Sequence, residues 1–411
     1  MNRQEIDLLG RTLLSDYKNV LLEWATGCGK TKQAITGISM LNRDEFHRVL
    51  IVVAEVAHKK NWIDEFHKWG FSSLLTDVNF EIEIICYDSL HHHQDEHYDL
   101  VIFDEAHHIF TEIRTSILRR IHSDRFILLS ATMDDNIINE IEDIIGYVMV
   151  SRISLQTAID WGLIPAPKII LYPLTLDNTI LNHVITEERG SAEKAVTIKC
   201  NIKDKWMYLR DKKKYPNIKL VMPATSLQYY NQLDSKIQFY KKLFMAKKSE
   251  SIKSKWLHYG LQRKIFLGLL KDNAAKKIIQ EFGRCRFICF CTNVEQADKL
   301  GGSHSINYKN KESLDVIDRF NNKEINSLFV VGMLQEGQNL KDIEKGIIIQ
   351  LDGKLRSFIQ KSGRVLRAEH PEIFIIYVKG TQDETYLKNA LEGLNPDYIT
   401  YYEDYNQRRG M

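Results

Sequence analysis

A short glycine-containing segment, Ala25 to Thr31, combines the residue types that bind phosphate groups. It follows an apolar run and reads Ala-Thr-Gly-Cys-Gly-Lys-Thr. Glycines let backbone N–H groups approach phosphate oxygens, and the start of a following helix adds positive potential. We expect Lys30 to reach the β- and γ-phosphates and the Thr31 hydroxyl to hold Mg²⁺. The strict pattern begins with glycine where this chain has Trp24, so a glycine turn with an incidental lysine stays open as the alternative.

Two adjacent carboxylates, Asp104 and Glu105, follow the apolar residues Leu100 to Phe103. Carboxylates at the end of a buried strand are costly unless a cation lies nearby. We expect Asp104 to contact the Mg²⁺ and Glu105 to orient or deprotonate an attacking water. The alternative is a strand end with ordinary acidic turn residues, which the phosphate-binding pattern earlier in the chain disfavours.

The elements that must position these residues alternate between strands and helices. In the first part of the chain we predict strands at 19–24, 48–54, 100–103 and 126–130, and helices at 31–41 and 59–69. Near the C-terminus we predict strands at 286–291, 327–331, 345–351 and 373–378, and helices at 294–300, 312–320 and 384–391. This alternation implies mostly parallel sheets with helices on both faces, and therefore an α/β fold class.

Four segments occur in the order typical of one family: Gly27-Cys-Gly-Lys-Thr, Asp104-Glu-Ala-His, Ser130-Ala-Thr and the run from Gln360 to Arg367. They resemble motifs I, II, III and VI of the superfamily 2 helicases. The combination is most similar to a DEAH-box-type group of UvsW-like, XPB-like and restriction-enzyme motors, which act on DNA. The resemblance implies two RecA-like domains with parallel β-sheets that close on ATP and Mg²⁺.

The same resemblance assigns roles to four further side chains. Arg364 and Arg367 correspond to arginine fingers, because a guanidinium neutralises the charge that spreads over phosphoryl oxygens in the transition state. Gln360 corresponds to the residue that contacts the γ-phosphate or the attacking water, and Gln4 to the glutamine that reads adenine. The alternatives are that each arginine is a surface cation and that Gln4 is an exposed glutamine at a helix terminus.

Other motif residues complete the set implied by the resemblance. Ser130, Ala131 and Thr132 are expected to relay domain closure between ATP and nucleic acid. The further ATP contacts are Thr26, Gly27, Cys28, Gly29 and Gly337. The expected nucleic-acid contacts are Lys59, Lys60, Thr292, Asn293, Gln338, Asn339, Lys241, Lys242, Lys247 and Lys248. Trp62 falls where motif Ia would contact a nucleic-acid strand, although a place in the core is the favoured alternative. The Cys28 thiol is expected to have a lowered pKa, which would make it sensitive to oxidation, because it precedes a helix N-terminus.

The net charge of +2 hides a strongly uneven distribution. Residues 171–280 carry 22 Lys+Arg and 9 Asp+Glu, a net charge of +13, which leaves −11 for the remainder. Lysines alternate there with Trp and Tyr, a mixture suited to neutralising phosphates and stacking on bases. A solvated face stays open as the alternative.

The proline pattern and composition divide the chain into four regions, and the resemblance implies which of them are RecA-like domains. The four regions are residues 1–164, a first RecA-like domain; 165–177, a linker and first strand of the second domain; 178–272, a basic, mainly helical insertion; and 273–411, the second RecA-like domain. The acidic N-terminus, the absence of a long apolar run and the six cysteines predict a cytoplasmic protein, in bacterial or phage-infected cells, without a signal peptide, membrane span or disulfide scaffold.

We therefore expect an ATP-dependent DNA helicase or translocase, stimulated by nucleic acid, with protein partners as a further source of targeting. An RNA helicase is the first alternative. The second is a nucleic-acid clamp or annealing remodeller that uses ATP without net unwinding.

Overall fold

The computed structural model describes residues 1–109, 111–307, 313–332, 340–351, 358, 361, 363, 365 and 368–409, and side chains at all of these except 112, 408 and 409. The chain forms two compact units. Unit 1 comprises Met1–Leu171, Glu281–Ile375 and Thr385–Met411, and unit 2 comprises Tyr172–Gln280 and Ile376–Glu384. The domain limits drawn from the sequence stay predictions.

The secondary-structure elements are numbered in chain order. The strands are β1 (Asn19–Trp24), β2 (His47–Val53), β3 (Phe80–Cys86), β4 (His97–Phe103), β5 (His122–Ser130), β6 (Met149–Ile153), β7 (Lys168–Leu174), β8 (His183–Arg189), β9 (Val196–Lys199), β10 (Ile218–Ala224), β11 (Phe287–Phe290), β12 (Ser305–Ile306), β13 (Ser327–Val330), β14 (Lys345–Ile348), β15 (Glu372–Val378) and β16 (Ile399–Tyr401). The α-helices are α1 (Arg3–Asp16), α2 (Lys30–Ser39), α3 (Val56–Lys68), α4 (Glu112–Leu118), α5 (Asp135–Ile145), α6 (Leu155–Asp160), α7 (Lys205–Arg210), α8 (Ser226–Lys247), α9 (Glu250–Leu270), α10 (Asp272–Phe282), α11 (Val294–Gly301), α12 (Ser313–Asn321), α13 (Gln382–Leu391) and α14 (Tyr402–Arg409).

The first sheet of unit 1 is parallel and has the strand order β3-β2-β4-β5-β1-β6. Its central strands are continuous apolar runs, as expected when helices cover both faces of a sheet. Leu100 to Phe103 of β4, for example, are almost fully buried. The strand order matters for function, because it places the ends of β4, β5 and β1 side by side at one edge.

The second sheet has the order β12-β13-β11-β14-β15-β7-β16. The pairings of β11 with β13 and β14, of β14 with β15, and of β7 with β16 are parallel. The predicted α/β class with two parallel-sheet regions is therefore confirmed. Among the described residues, no helix is both long and apolar enough to span a bilayer.

Unit 2 combines helices with a small sheet that the sequence analysis did not anticipate. Strand β10 pairs antiparallel with β8 and parallel with β9. The Arg189 guanidinium donates to the carbonyls of Leu209 and Tyr215, which fixes α7 against this sheet. Helices α8 and α9 pack against each other, and α8 begins at a capping box formed by Thr225 and Gln228.

The base of the α8–α9 pair is the well-packed part of unit 2. Its apolar cluster contains Tyr230, Leu233, Phe266, Leu267 and Val378. Close by, Lys271 forms a fully buried ion pair with Asp383, with 2.6 Å between Nζ and Oδ2. Such a pair is stable only while both partners remain, because either charge alone would be buried without compensation.

Candidate active site

The predicted catalytic residues of unit 1 meet at one edge of the first sheet. Strands β1, β4 and β5 are parallel neighbours, and the segments that follow them begin at their carboxyl ends. We call residues 25–31, 104–107 and 130–133 the carboxyl edge. Ligand sites of open parallel sheets lie at this end of the strands.

The phosphate loop of the carboxyl edge is open toward solvent. Gly27 and Gly29 have φ angles of 94° and 93°, in the left-handed region that favours glycine. Helix α2 begins at Lys30, and its N-cap residue Gly29 offers no side chain to the first turn. A Cβ atom built on Gly29 would meet nothing within 4 Å. Uncapped N–H groups beside an open space fit the phosphate groups of a nucleotide.

Trp24 explains why the loop departs from the strict pattern. Its side chain is buried, and its indole Nε1 donates to the Ser151 hydroxyl at 3.0 Å. Its carbonyl oxygen accepts a 2.7 Å hydrogen bond from Lys30 Nζ. Trp24 thus ends the strand as a core residue, while its backbone holds the lysine ammonium beside the loop.

The N-terminal helix α1 also reaches the phosphate loop, through a residue that the sequence analysis missed. Arg3 donates from Nη1 to the Gly27 carbonyl at 2.9 Å and from Nη2 to the Leu163 carbonyl at 2.5 Å. The next residue, Gln4, is exposed in the first turn of α1. No sequence pattern marked Arg3 apart from its position beside Gln4.

The two carboxylates of the carboxyl edge have different surroundings. Asp104 Oδ2 accepts a hydrogen bond from the Trp62 indole Nε1 at 2.9 Å, and its Oδ1 accepts from the Glu105 backbone N–H at 3.0 Å. Glu105 has a φ of 47°, a left-handed conformation that strains a residue with a side chain. Its carboxylate lies 3.4 Å from Nδ1 of His107.

The segment after β5 is held by hydrogen bonds rather than arranged for nucleophilic attack. The buried Ser130 hydroxyl donates to the Thr132 carbonyl at 2.7 Å. Glu23, on the neighbouring strand β1, accepts from the Met133 N–H at 3.1 Å and from Arg152 Nε at 2.8 Å. Glu23 was not recognised in the sequence, because its role depends on which strands are neighbours.

The expectation for the Cys28 thiol was wrong. Burial raises its pKa, against smaller lowering effects of the charges on Lys30 and Arg3. The side chain is 1% exposed, so the loss of hydration outweighs the effect of the two nearby cations on this pKa. All six cysteines are free thiols.

The segment that resembles motif VI approaches the phosphate loop at Gly363. A Cβ atom built on this buried glycine would lie 2.9 Å from both Cβ and Cγ2 of Thr26, which leaves no room for a side chain. The predicted motif residues Gln360, Arg364, Arg367, Gly337, Gln338 and Asn339 lie outside the described residues.

Four predicted nucleic-acid contacts lie in unit 1 within the described part. Lys59 is half-buried and Lys60 is exposed, and both belong to the first turns of α3, after the carboxyl end of β2. Thr292 is buried, and the Asn293 side chain caps α11 by accepting from the Gln296 N–H at 2.8 Å. Asn293 therefore has a structural role beside any role in binding.

The outer part of the α8–α9 pair, residues 238–262, carries the predicted lysines of unit 2, and we call it the arm. It contains six lysines and one acidic residue. None of its residues is buried. Two aromatic pairs join its helices: Tyr240 stacks on Tyr259 at 5.5 Å, and Phe244 lies 5.9 Å from Trp256.

The arm lysines are largely unpaired with acids. Lys253 contacts Glu250 at 3.3 Å. Lys241, Lys242, Lys247 and Lys248 form no ion pair with the described residues, although Lys248 lies over the Phe244 ring. A helical pair with free cations and no buried side chains presents positive charge to solvent.

Comparison with known proteins agrees with these features. Residues 3–135 match the family of the type III restriction enzyme res subunit, and residues 299–369 match the helicase conserved C-terminal domain. The chain is 23% identical over 385 residues to the DNA 3'-5' translocase XPB2 of Sulfurisphaera tokodaii, covering 89% of this chain and 79% of that protein. It is 22% identical over 405 residues to a candidate ATP-dependent RNA helicase of Methanocaldococcus jannaschii, covering 86% of this chain but 51% of that protein, about half its length.

Solved structures show the same fold. The Pyrococcus furiosus Hef helicase domain aligns with a TM-score of 0.50 and 13% identity over 95% of this chain and 100% of that chain. Saccharomyces cerevisiae Dbp5 bound to RNA and ADP BeF3 aligns with a TM-score of 0.56 and 12% identity over 99% of this chain and 92% of that chain. Together with the family matches, they confirm two RecA-like domains. The two family matches and the translocase relative support superfamily 2 of the helicases and translocases for this chain, and membership of that superfamily implies an ATP-hydrolysing enzyme.

Proposed function

We propose that this protein is an ATP-driven DNA helicase or translocase whose ATP hydrolysis is stimulated by nucleic acid. The observation that carries the proposal is the carboxyl edge. Three neighbouring strands end there. They are followed by an open phosphate loop, an adjacent pair of carboxylates and the Ser130 segment. Such a set binds a nucleoside triphosphate and promotes attack by water.

Each residue of the carboxyl edge then has a defined task. The N–H groups of the loop and of the first turn of α2 bind phosphate oxygens, and Lys30 moves from the Trp24 carbonyl to the β- and γ-phosphates. Thr31 and Asp104 would hold the Mg²⁺. Glu105 orients the attacking water and accepts its proton. Mg²⁺-bound ATP supplies the phosphoanhydride bond whose hydrolysis drives the motor.

Gly363 supports a role for the segment around it in the same reaction. It packs against Thr26 of the phosphate loop, and Arg364 follows it directly in the sequence. We therefore propose that Gln360, Arg364 and Arg367 act on the phosphates, and that Gln4, beside Arg3, reads the adenine. Ser130 and Thr132 would transmit domain closure toward the nucleic acid.

The arm is the proposed nucleic-acid interface of unit 2. Lys241, Lys242, Lys247 and Lys248 have no acidic partner within the described part of the chain, and phosphate groups are the anions that such a surface attracts. Residues that read bases do not stand out there, so we expect little sequence specificity. Lys59 and Lys60 on α3 would add contacts from unit 1.

One experiment tests the activity. Phosphate release is measured without nucleic acid and with single-stranded DNA, duplex DNA, forked DNA or RNA, for the wild type, Lys30→Ala and Glu105→Gln. We expect DNA to stimulate the wild type and both substitutions to abolish the stimulated activity. Undiminished activity in either variant would contradict the site assignment.

RNA is the second candidate substrate, because one relative is named an RNA helicase. Greater stimulation by RNA than by any DNA would favour it. ATP binding without phosphate release in the wild type would instead favour a clamp that uses ATP as a conformational ligand.

A further inference from the structure

One buried tryptophan bonds directly to the carboxylate proposed to hold Mg²⁺. Trp62 is 2% exposed, and its only polar side-chain atom, Nε1, donates to Asp104 Oδ2 at 2.9 Å. The other carboxylate oxygen, Oδ1, accepts from the Glu105 backbone at 3.0 Å. Each oxygen therefore receives one donor from the protein, which fixes the plane of the carboxylate and leaves further lone pairs for a cation.

The partner of Trp62 contrasts with those of two other tryptophans. The indole of buried Trp24 donates to the Ser151 hydroxyl, and that of the exposed Trp69, which follows α3, donates to the Glu65 carboxylate of α3. A core tryptophan needs only some acceptor for its N–H group. Trp62 meets that need with the Asp104 carboxylate at the end of β4, and so adds a second donor to a group that the Glu105 N–H holds at one oxygen.

We propose that Trp62 is a positioning residue that holds the Asp104 carboxylate in the orientation required for the metal ion. The proposal rests on the proposed function, since it takes Asp104 as a metal ligand. Groups that orient metal ligands from behind typically change metal affinity by about 10- to 100-fold when they are removed. The hydrogen bond joins a neutral indole N–H donor to a charged carboxylate, and such hydrogen bonds are stronger and more directional than those between neutral groups.

The first test measures metal binding without turnover. Mn²⁺ is titrated into protein saturated with a non-hydrolysable ATP analogue, and free Mn²⁺ is followed by electron paramagnetic resonance. Trp62→Phe keeps an aromatic ring in the core but removes the N–H donor. We expect its Mn²⁺ affinity to fall about 10- to 100-fold. Equal affinities of wild type and variant would overturn the proposal.

A matched control removes a different bond to the same residue. Tyr87 donates from its hydroxyl to the Asp104 backbone carbonyl at 3.0 Å, so Tyr87→Phe loses a hydrogen bond at Asp104 without touching its carboxylate. We expect its Mn²⁺ affinity to stay within about twofold of the wild type, below the range for ligand-orienting groups. An equal loss in both variants would indicate general disturbance of the β4 end and contradict a specific role for Trp62.

The indole itself gives a second readout that does not depend on metal. With ¹⁵N-tryptophan labelling, the indole signal that disappears in Trp62→Phe is assigned to Trp62. Asp104→Ala removes its acceptor, so this signal should shift most among the six tryptophans. An unmoved signal would overturn the proposed bond.

Kinetics separate positioning from damage. In Trp62→Phe the Mg²⁺ concentration for half-maximal ATPase should rise about 10- to 100-fold, while kcat at saturating Mg²⁺ falls much less. A fall in kcat alone would contradict positioning. If the wild type itself binds neither Mn²⁺ nor nucleotide, the proposed function fails; if the wild type binds both and Trp62→Phe is indistinguishable from it, only the Trp62 proposal fails.

Discussion

The charged groups of the carboxyl edge in unit 1 are held by neighbouring residues, whereas those of the arm in unit 2 are mostly exposed. At the edge, Lys30 bonds to the Trp24 carbonyl and Asp104 to Trp62, while Glu105 lies beside His107. In the arm, four lysines have no acidic partner among the residues that the structure describes, and no arm residue is buried.

This difference fits the two proposed roles, phosphate chemistry at the edge and nucleic-acid binding in the arm. Groups that act on a reacting phosphate must be held in place before the reaction, because reorganising them during the reaction costs rate. Cations that bind a polyanion gain from releasing its counterions and need little fixed geometry. Substitutions at the edge should therefore affect turnover, and substitutions in the arm should affect binding and its salt dependence.

The largest expected effect is at Glu105. Replacing it by Gln removes the proposed proton acceptor but keeps the side-chain shape, so ATPase activity should fall about 10²- to 10⁴-fold while ATP affinity is retained. Phosphate release and equilibrium nucleotide binding measure the two quantities. Glu140→Gln, on an exposed position of α5, is the control and should match the wild type. Similar ATPase activities of Glu105→Gln and Glu140→Gln would show that Glu105 is not the proton acceptor.

The next effect concerns the arm. Replacing Lys241, Lys242, Lys247 and Lys248 together by Gln should weaken DNA binding and reduce the slope of log affinity against log salt by up to about 3.6, about 0.9 for each lost phosphate contact. Fluorescence anisotropy across a salt series gives the slope, and ATPase without nucleic acid should not change.

The matched control for the arm removes four exposed cations of unit 1, namely Arg11, Lys18, Arg43 and Lys388, each replaced by Gln. If binding depends only on total charge, this control will lose the same slope as the arm variant. An unchanged slope in the arm variant would show that its lysines form a solvated face and do not bind DNA.

A smaller effect is expected at Gly363. In Gly363→Ala the new Cβ would overlap Thr26, at a cost of about 1–3 kcal/mol that lowers kcat by roughly 5- to 150-fold. In a Thr26→Gly background the same substitution should have little further effect, because the overlapping atoms are gone. Steady-state kinetics of the four proteins test this, and purely additive losses would show that the two residues are not in contact in the active enzyme.

The smallest expected effect concerns the reactivity of the Cys28 thiol. Because burial raises the pKa of the Cys28 thiol, it carries less thiolate near neutral pH than an ordinary cysteine, and its modification should accelerate only as the pH rises. Mass spectrometry after brief iodoacetamide treatment at pH 7.5 should find Cys28 modified at least about tenfold more slowly than the half-exposed Cys285. Faster modification of Cys28 would show that the loop opens in solution.

Much of the fold was predictable because its strands are strongly apolar and end at motifs. The strand predicted at 19–24 coincides with β1, and the predictions at 100–103 and 126–130 fall inside β4 and β5. The edge strand β3 was missed, as its alternating acids, such as Glu81 and Glu83, dilute the apolar signal. The small sheet of unit 2 was missed for a similar reason, since its strands mix apolar with polar or charged residues and are partly exposed.

The sequence by itself determined which residue types stand at the ends of the central strands and where the positive charge is concentrated. Both are local properties: strand ends follow apolar runs, and charge is additive along the chain. Only the tertiary structure decided that Trp62 bonds to Asp104, that Arg3 bonds to Gly27, and that Gly363 packs on Thr26. It also reversed the expected pKa shift of Cys28. These features depend on distances and burial between segments far apart in the chain, which composition and spacing do not encode.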